Sequence, residues 1–473
     1  MALARKLRKE LIRIVGKPHC KTEPAELALY GYDATPQAPL ALPEAVVLPD
    51  CAEQVAAVVR LAAAARIPVV ARGAGTNLTG GARAMAGGLV LSTQRMNRIL
   101  AIDRDNLQAV VQPGVVTEAL QDAVADCGLF YPPDPQSKET CTLGGNLAEN
   151  AGGPRAVKYG VTRQYVLALE AVMADGQRLR FGARTIKSVA GYDMVSLLIG
   201  SEGTLGIITE ATLRLLPLPA ARATLLAAFD SIESAAAAVG AVLRAGVLPS
   251  ALEFVDAETI RCIQAQQPVG LPAAAAAALV IEVDGREREV AAAADAVQAV
   301  VERSGAVELR RAADEDEAAQ LWKARRAAGP ALAHIAPHKF NEDIVVPIAR
   351  LPEAVGGIHA IAENNRVSCA CFGHAGDGNI HVNFLVQPDD ADQARRVEAA
   401  VAQTFELVVS LQGSITGEHG VGTTKQPFLG RELAPGAMAA MRSVKRALDP
   451  HGILNPHKIF PDEAAAGPGA AEA

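Results

Sequence analysis

The segment Gly373-His374-Ala375-Gly376-Asp377-Gly378-Asn379-Ile380-His381, answered later by Gly417-Glu418-His419-Gly420, sets three imidazoles and a carboxylate among glycines that leave room for a ligand. Imidazole nitrogen and carboxylate oxygen suit a borderline divalent ion such as Zn²⁺, and a set of His374, His381 and Glu418 leaves a coordination position open for substrate. That is a pattern for metal-assisted catalysis. The flanks argue the geometry: residues 367–372 and 380–386 are rich in apolar, β-forming types, and the Gly-Asp-Gly-Asn between them carries turn chemistry. A hairpin or tight return puts His374 and His381 near the same end of neighbouring strands, with Glu418 brought in by a third segment. The alternative is a glycine-rich turn with two satisfied histidines.

These residues need a scaffold. From 43 to 219 short β runs (45–48, 68–71, 88–92, 108–112, 167–173, 206–215) alternate with helical stretches such as 51–65, an α/β pattern, and Pro217-Leu218-Pro219 marks a boundary. Beyond it a β-α-β pattern occurs twice, at 223–229, 231–245 and 251–255, then at 277–283, 287–304 and 307–310. This repetition predicts a split-βαβ domain with helices on one sheet face and the other face free to cover a cofactor.

Four loops in the first region, three glycine-rich and one proline-rich, imply an extended ligand. Arg72-Gly73-Ala74-Gly75-Thr76-Asn77 follows a strand directly, so its amides can converge on a pyrophosphate. It lacks the G-x-G-x-x-G helix start of nicotinamide dinucleotide sites, since Thr79-Gly80-Gly81 continues as loop. Pro132-Pro133-Asp134-Pro135-Gln136-Ser137, Thr142-Leu143-Gly144-Gly145-Asn146 and Gly200-Ser201-Glu202-Gly203-Thr204-Leu205-Gly206 place small residues and hydroxyls where a backbone must approach a large flat molecule, as a flavin dinucleotide requires.

Composition excludes several classes. The net charge of −7 and few aromatics, none interleaved with basic runs, argue against nucleic-acid binding. Half of the 473 residues are apolar, yet the longest run, 271–283, is broken by Pro272 and Glu282 and is too short for a bilayer, which takes about 20 residues. The start has no secretory signal pattern, and its basic residues from Arg5 to Arg13 read as a solvated helix face, with anionic lipid or a partner as the alternative. Seven irregularly placed cysteines fit a reducing compartment. Cys369 and Cys371 read as buried thiols, and no C-x-x-C series serves an iron–sulfur centre. A cytoplasmic protein is expected, with attachment to the inner membrane only through partners.

Taken together, the motifs resemble the FAD-linked D-2-hydroxy acid dehydrogenases of the vanillyl-alcohol oxidase/p-cresol methylhydroxylase fold, the group that includes glycolate oxidase and D-lactate dehydrogenase. Besides the loops above, Lys187 with Gly191-Tyr192-Asp193 and Asn455-Pro456 carry the likeness. The resemblance implies an α+β chain, a two-part FAD-binding domain plus a split-βαβ (ferredoxin-like) substrate cap domain. Expected boundaries are 1–40 for an N-terminal helical segment, 41–219 for the FAD domain, 220–450 for the cap with its metal site, 451–462 for a segment returning to the FAD domain, and 463–473 for a disordered tail. It implies noncovalent FAD held by Arg72, Gly73, Ala74, Gly75, Thr76, Asn77, Pro133, Asp134, Ser137, Thr142, Gly145, Asn146, Asn150, Gly152, Glu202, Gly203, Gly206, Ile207 and Asn455. His419 becomes the catalytic base, and Trp322 with Arg325 the W-x-x-R pair whose arginine meets a substrate carboxylate. Lys339 is a further catalytic candidate. In departure from the pattern, Arg326 stands where relatives often have glutamate, and Asn341-Glu342 separate Phe340 from Asp343.

The implied reaction is oxidation of glycolate, D-lactate or a similar acid to the 2-oxo acid, by hydride transfer to flavin N5 with a divalent metal, zinc by its donors. Electrons then pass to a non-nicotinamide acceptor, either a partner subunit or an electron-transfer protein. Competing readings are a noncatalytic flavin-binding subunit of an oxidase complex, a flavin oxidase of a different alcohol, and a metallohydrolase using the histidines alone.

Overall fold

The computed structural model describes residues 5–36, 38–266, 270–336, 338–387 and 390–461, so the tail expected over 463–473 lies outside the described residues. Two compact units divide the chain. One joins the stretch up to Ala151, Val161–Leu218 and the stretch from Glu418; the other joins Gly152–Gly160 with Pro219–Gly417.

In the first unit the helix α1 (Arg5–Val15) buries Leu7, Leu11 and Val15, a stripe at four-residue spacing, and keeps Arg5, Lys6, Arg8, Lys9 and Arg13 exposed. The strands β1 (Cys20–Lys21), β2 (Ala45–Val47), β3 (Val69–Arg72) and β4 (Leu89–Ser92) form a sheet in the order β1-β2-β4-β3, parallel except for β1. The helix α2 (Ala52–Ala65) crosses from β2 to β3, buries Val55, Val58, Val59 and Ala62 at helical spacing, and stops at left-handed Arg66. Its apolar stripe packs in one core with Leu11, Val47, Leu89, Leu91 and Leu454. Leu454 belongs to the C-terminal segment, which pairs with β3 through Val69 N–H to Ile453 O at 2.7 Å and Asn455 N–H to Val69 O at 2.9 Å. A second, antiparallel sheet runs through β5 (Ile99–Asp103), β6 (Gln108–Val111), β7 (Val166–Val172), β8 (Arg178–Gly182) and β9 (Ile207–Arg214), in the order β5-β6-β9-β7-β8.

The second unit is built on one antiparallel sheet of β10 (Ala221–Phe229), β11 (Ala251–Asp256), β12 (Ala277–Gly285), β13 (Glu308–Arg311), β14 (His338–Val345), β15 (Ser368–Gly373) and β16 (Asn379–Val386). The order is β13-β10-β12-β11-β15-β16-β14. Helices α3 (Ile232–Arg244) and α5 (Glu287–Arg303) connect β10 to β11 and β12 to β13, and α4 (Ala257–Gln266) follows β11. The sheet face expected to lie free is covered in part: α4, α6 (Glu315–Arg326) and α7 (Ala328–Ile335) bury Ile260, Leu321, Ala324 and Leu332 against Leu226, Val255, Val280 and Phe372. Those helices carry enough apolar surface to require a sheet face of their own. The helix α8 (Leu351–Asn364) packs against the opposite face, where His359 meets Asp256. No described helix is long and apolar enough to cross a membrane.

Candidate active site

Strand alternation gathers the chemistry of the second unit on one face of its sheet. Phe372 pairs with His381, Asp343 pairs with His381, and Val255 pairs with Phe372. Residues two apart from these share the face, which therefore carries Glu253, His374, His381, Asn383, Asp343, Asn341 and Lys339. The expected hairpin is the β15–β16 turn, with the rings of His374 and His381 at 5.1 Å and 90° to each other.

Glu253 organises this face. It is fully buried, with one carboxylate oxygen 2.7 Å from His374 Nδ1 and the other 2.6 Å from Arg325 Nη2. A carboxylate accepts, so Nδ1 carries a ring proton, and in the neutral imidazole the lone pair is then on Nε2. Arg325 is 4% exposed and stacks over Phe372 at 4.8 Å, while its neighbour Arg326 is exposed. One helical turn back, Trp322 Nε1 donates to Glu282 at 2.8 Å. The W-x-x-R spacing thus sets two side chains on one face of α6, each on a buried carboxylate. Neither glutamate belongs to a sequence motif; the available signal was a charged residue inside an apolar strand, which must find a partner.

Asp343 anchors the other side. Its oxygens accept from Asn379 Nδ2 at 2.6 Å, from the Gly417 N–H at 2.7 Å and from Thr416 Oγ1 at 3.2 Å, and it lies 3.8 Å from His381 Nδ1. Gly417 needs its missing side chain, because a Cβ there would overlap Asn379 and Val345. Lys339 donates to Gly329 O at 3.2 Å, and burial pushes its ammonium down.

In the first unit the glycine loops touch one another. A Cβ at Gly73 would overlap Thr142 Oγ1, one at Gly144 would meet Pro113, and one at Gly75 would overlap the Arg72 guanidinium. Arg72 donates to Tyr32 O at 2.6 Å, which holds the loop after β3 from beneath. Asn77 folds the next turn, accepting from Thr79 and Gly81 N–H at 2.9 and 2.7 Å. Thr142 begins the short helix Leu143–Glu149, from which Asn146 donates to Thr117 at 2.6 Å; left-handed Asn150 ends it and accepts from Arg163 N–H. Pro133 O accepts from Gln121, Asp134 pairs with Lys138 at 3.3 Å, and Ser137 O receives Thr140 and Cys141 N–H. Gly203 and Gly206 lead into β9 at Ile207, and Asn455 donates to the carbonyls of Gly81 and Glu202. Gly152 lies instead in the stretch that groups with the second unit, where Lys158 and Tyr159 meet Asp284.

The loop bearing His419 is held by the same unit. His419 O accepts from Thr79 Oγ1 at 3.0 Å, and Glu202 accepts from Val421 and Gly422 N–H at 2.7 and 2.9 Å. Glu149, partly buried, accepts from Asn77 Nδ2 at 2.9 Å. Burial, and then the neighbouring Glu202 charge, push its carboxyl well above the usual range. Gly420 sits at φ +77° where a Cβ would overlap the Glu149 carboxyl.

Residues 218–459 match the C-terminal domain of FAD linked oxidases, and residues 43–182 match an FAD binding domain. The chain is 43% identical over 462 residues to glycolate oxidase subunit GlcD of Bacillus subtilis, covering 98% of each. It is 39% identical over 453 residues to D-2-hydroxyglutarate dehydrogenase of Xanthomonas citri pv. viticola, covering 93% of this chain and 94% of the other. Among solved structures, p-cresol methylhydroxylase with substrate bound matches at a TM-score of 0.78 and 17% identity, covering 97% of this chain and 96% of that one. The chain belongs to the FAD linked oxidases, as an oxidoreductase of the vanillyl-alcohol oxidase/p-cresol methylhydroxylase fold.

Proposed function

We propose that this chain oxidises a D-2-hydroxy acid, glycolate, D-lactate or a close relative, to the 2-oxo acid, using noncovalent FAD and a divalent cation that its donors select as zinc. The observation that carries the reading is Glu253, which takes the Nδ1 proton of His374 on one oxygen and pairs with Arg325 on the other. A carboxylate behind an imidazole fixes the tautomer that a cation needs and raises its basicity. His374, His381 and Glu418 are the proposed ligands. Glu418 follows Gly417, whose N–H is fixed on Asp343, the cross-strand neighbour of His381.

The first unit fits FAD. Thr142 Oγ1 is buried with no hydrogen-bond partner among the described residues, beside the side-chain-free surfaces of Gly73 and Gly145. That is a polar group awaiting a polar ligand. Arg72, Ala74, Gly75, Thr76 and Asn77, with the loops of Pro133, Thr142 and Glu202, would hold the cofactor.

When bound, FAD accepts a hydride equivalent and the cation supplies positive charge at the substrate hydroxyl. Arg325 binds the carboxylate: its buried Nε has no hydrogen-bond partner among the described residues, and the guanidinium fork suits a planar anion. His419 receives the hydroxyl proton as the α-hydrogen departs with its electron pair, leaving the carbonyl of the 2-oxo acid. Lys339, made less basic by burial, adds charge on the carboxylate side. The electrons leave to a non-nicotinamide acceptor, a partner subunit or electron-transfer protein, in keeping with the Bacillus relative being a glycolate oxidase subunit.

Anaerobic mixing of the FAD-loaded protein with D and L forms of a panel of 2-hydroxy acids tests this. Flavin bleaching by glycolate or one D acid, with its L form inert, is expected. Bleaching by none of the panel would leave the noncatalytic reading standing.

A further inference from the structure

β15 turns alternate residues to opposite sides of its sheet, so while Phe372 faces the histidines, Cys369 and Cys371 face away. Both thiols are buried, and their sulfurs lie 3.7 Å apart. Next in register on β11, Asp256 is fully buried and accepts the Cys371 N–H at 2.7 Å. From α8, His359 brings Nε2 to 3.4 Å from the same carboxylate oxygen. One ligand atom each from Asp256, His359 and Cys371 lies within 4.8 Å of the other two. None of these four side chains has a part in the oxidation described above.

We propose that Asp256, His359 and Cys371, with Cys369 as the fourth donor, form a second cation site for Zn²⁺ on the reverse face of the sheet, tying α8 to β11 and β15. The donor types are those of structural zinc, a mixed set of thiolate, imidazole and carboxylate without an open position. The spacing agrees. Two thiolates at 2.3 Å from one tetrahedral zinc stand roughly 3.8 Å apart, and the Cys369 and Cys371 sulfurs are already at 3.7 Å. Cys369 lies outside the set whose atoms are all within 4.8 Å of one another and must move to join it, and His359, 30% exposed, has the freedom to follow.

A bare Asp–His pair is the simpler use of the same residues. The Asp256 carboxylate beside His359 pushes the imidazole's pKa up to about 10, and it caps α4 by accepting the Thr259 N–H at 2.8 Å. In such a pair only Cys371 takes part, beside the imidazole, whereas a metal site uses Cys369 as well. Loading is not a redox step: His359 and both thiols release protons to solvent, and the sulfurs become thiolate donors.

Cobalt(II) reports the outcome in the full-length, FAD-loaded protein after chelation, because thiolate donors add a near-ultraviolet charge-transfer band that a histidine–carboxylate site lacks. Wild type is expected to show that band and to bind one more equivalent of Co²⁺ than Cys371→Ser, which loses the band. His374→Ala is expected to keep it. Since Cys371→Ser sits in the core, His359→Ala at the edge of the site provides the second measure, weakening the Co²⁺ that gives the band by about tenfold or more. Absence of the band in wild type, or an unchanged band and stoichiometry in both variants, would overturn the proposal.

Discussion

Glu253→Gln isolates the group on which the substrate-side chemistry turns. Glutamine matches the volume of glutamate, so no cavity opens, and its carbonyl can still accept from His374 Nδ1. What it cannot do is neutralise Arg325, which is 4% exposed with its Nη2 2.6 Å from the lost charge. Removing one partner of a buried pair costs about 3–5 kcal/mol. The Phe372 ring 4.8 Å from the guanidinium keeps part of that cation's stabilisation, so the lower end, about 3 kcal/mol, is expected. For a domain of this size that is a melting shift of roughly 6–12 °C. Weakened support of His374 should also lower metal affinity by about ten- to hundredfold. Differential scanning calorimetry and metal titration read the two effects separately. Because Arg325 is the group left exposed to the penalty, Glu253→Gln with Arg325→Met should be more stable than Glu253→Gln alone. A single variant within about 1 kcal/mol of wild type, or a double variant no better than the single, would refute the reasoning.

Other perturbations follow from the same contacts. Arg325→Lys keeps the charge opposite Glu253 but loses the planar fork, so it should fold normally while KM rises about tenfold to a hundredfold and kcat changes little, as steady-state kinetics would show. Gly420→Ala forces a side chain into φ +77° against the Glu149 carboxyl; kcat should drop by about a hundredfold with FAD content unchanged, because His419 shares that loop. Glu149 retains its proton in the fold above the pH at which an unfolded glutamate loses it, so the native state binds more protons and stability falls as pH rises from 4.5. Glu149→Gln removes that loss, and a flatter stability-versus-pH curve on the alkaline side in urea titrations is expected; an unchanged curve would show that Glu149 is ionised in the native protein.

The hairpin was legible because its two signals are local. Apolar β-formers at 380–386 became Asn379–Val386, and the Gly-Asp-Gly-Asn turn set Phe372 opposite His381. The W-x-x-R pair was legible as a motif, yet its partners were not: Glu282 lies 40 residues from Trp322, Glu253, which pairs with Arg325, lies on another strand again, and strand alternation alone says only that each shares a face with its neighbours. The resemblance places the stretch after Gly417 with the substrate domain, whereas Glu202 and Thr79 hold Val421, Gly422 and Thr423 within the first unit. Such long-range hydrogen bonds leave no periodic trace. Coverage of the sheet by α6 and α7 was hidden for a similar reason, since an apolar stripe states that a helix must be buried without naming its face.

The account rests on a cation held by the histidines of the β15–β16 turn acting directly on the substrate hydroxyl. Its most direct test is the rate of anaerobic flavin reduction by the preferred D acid in metal-stripped wild type and in His374→Ala, each with FAD content verified. Reduction is expected to fall by at least a hundredfold in both and to return on adding Zn²⁺ to wild type alone. Metal-free His374→Ala reducing its flavin at the wild-type rate would contradict the account.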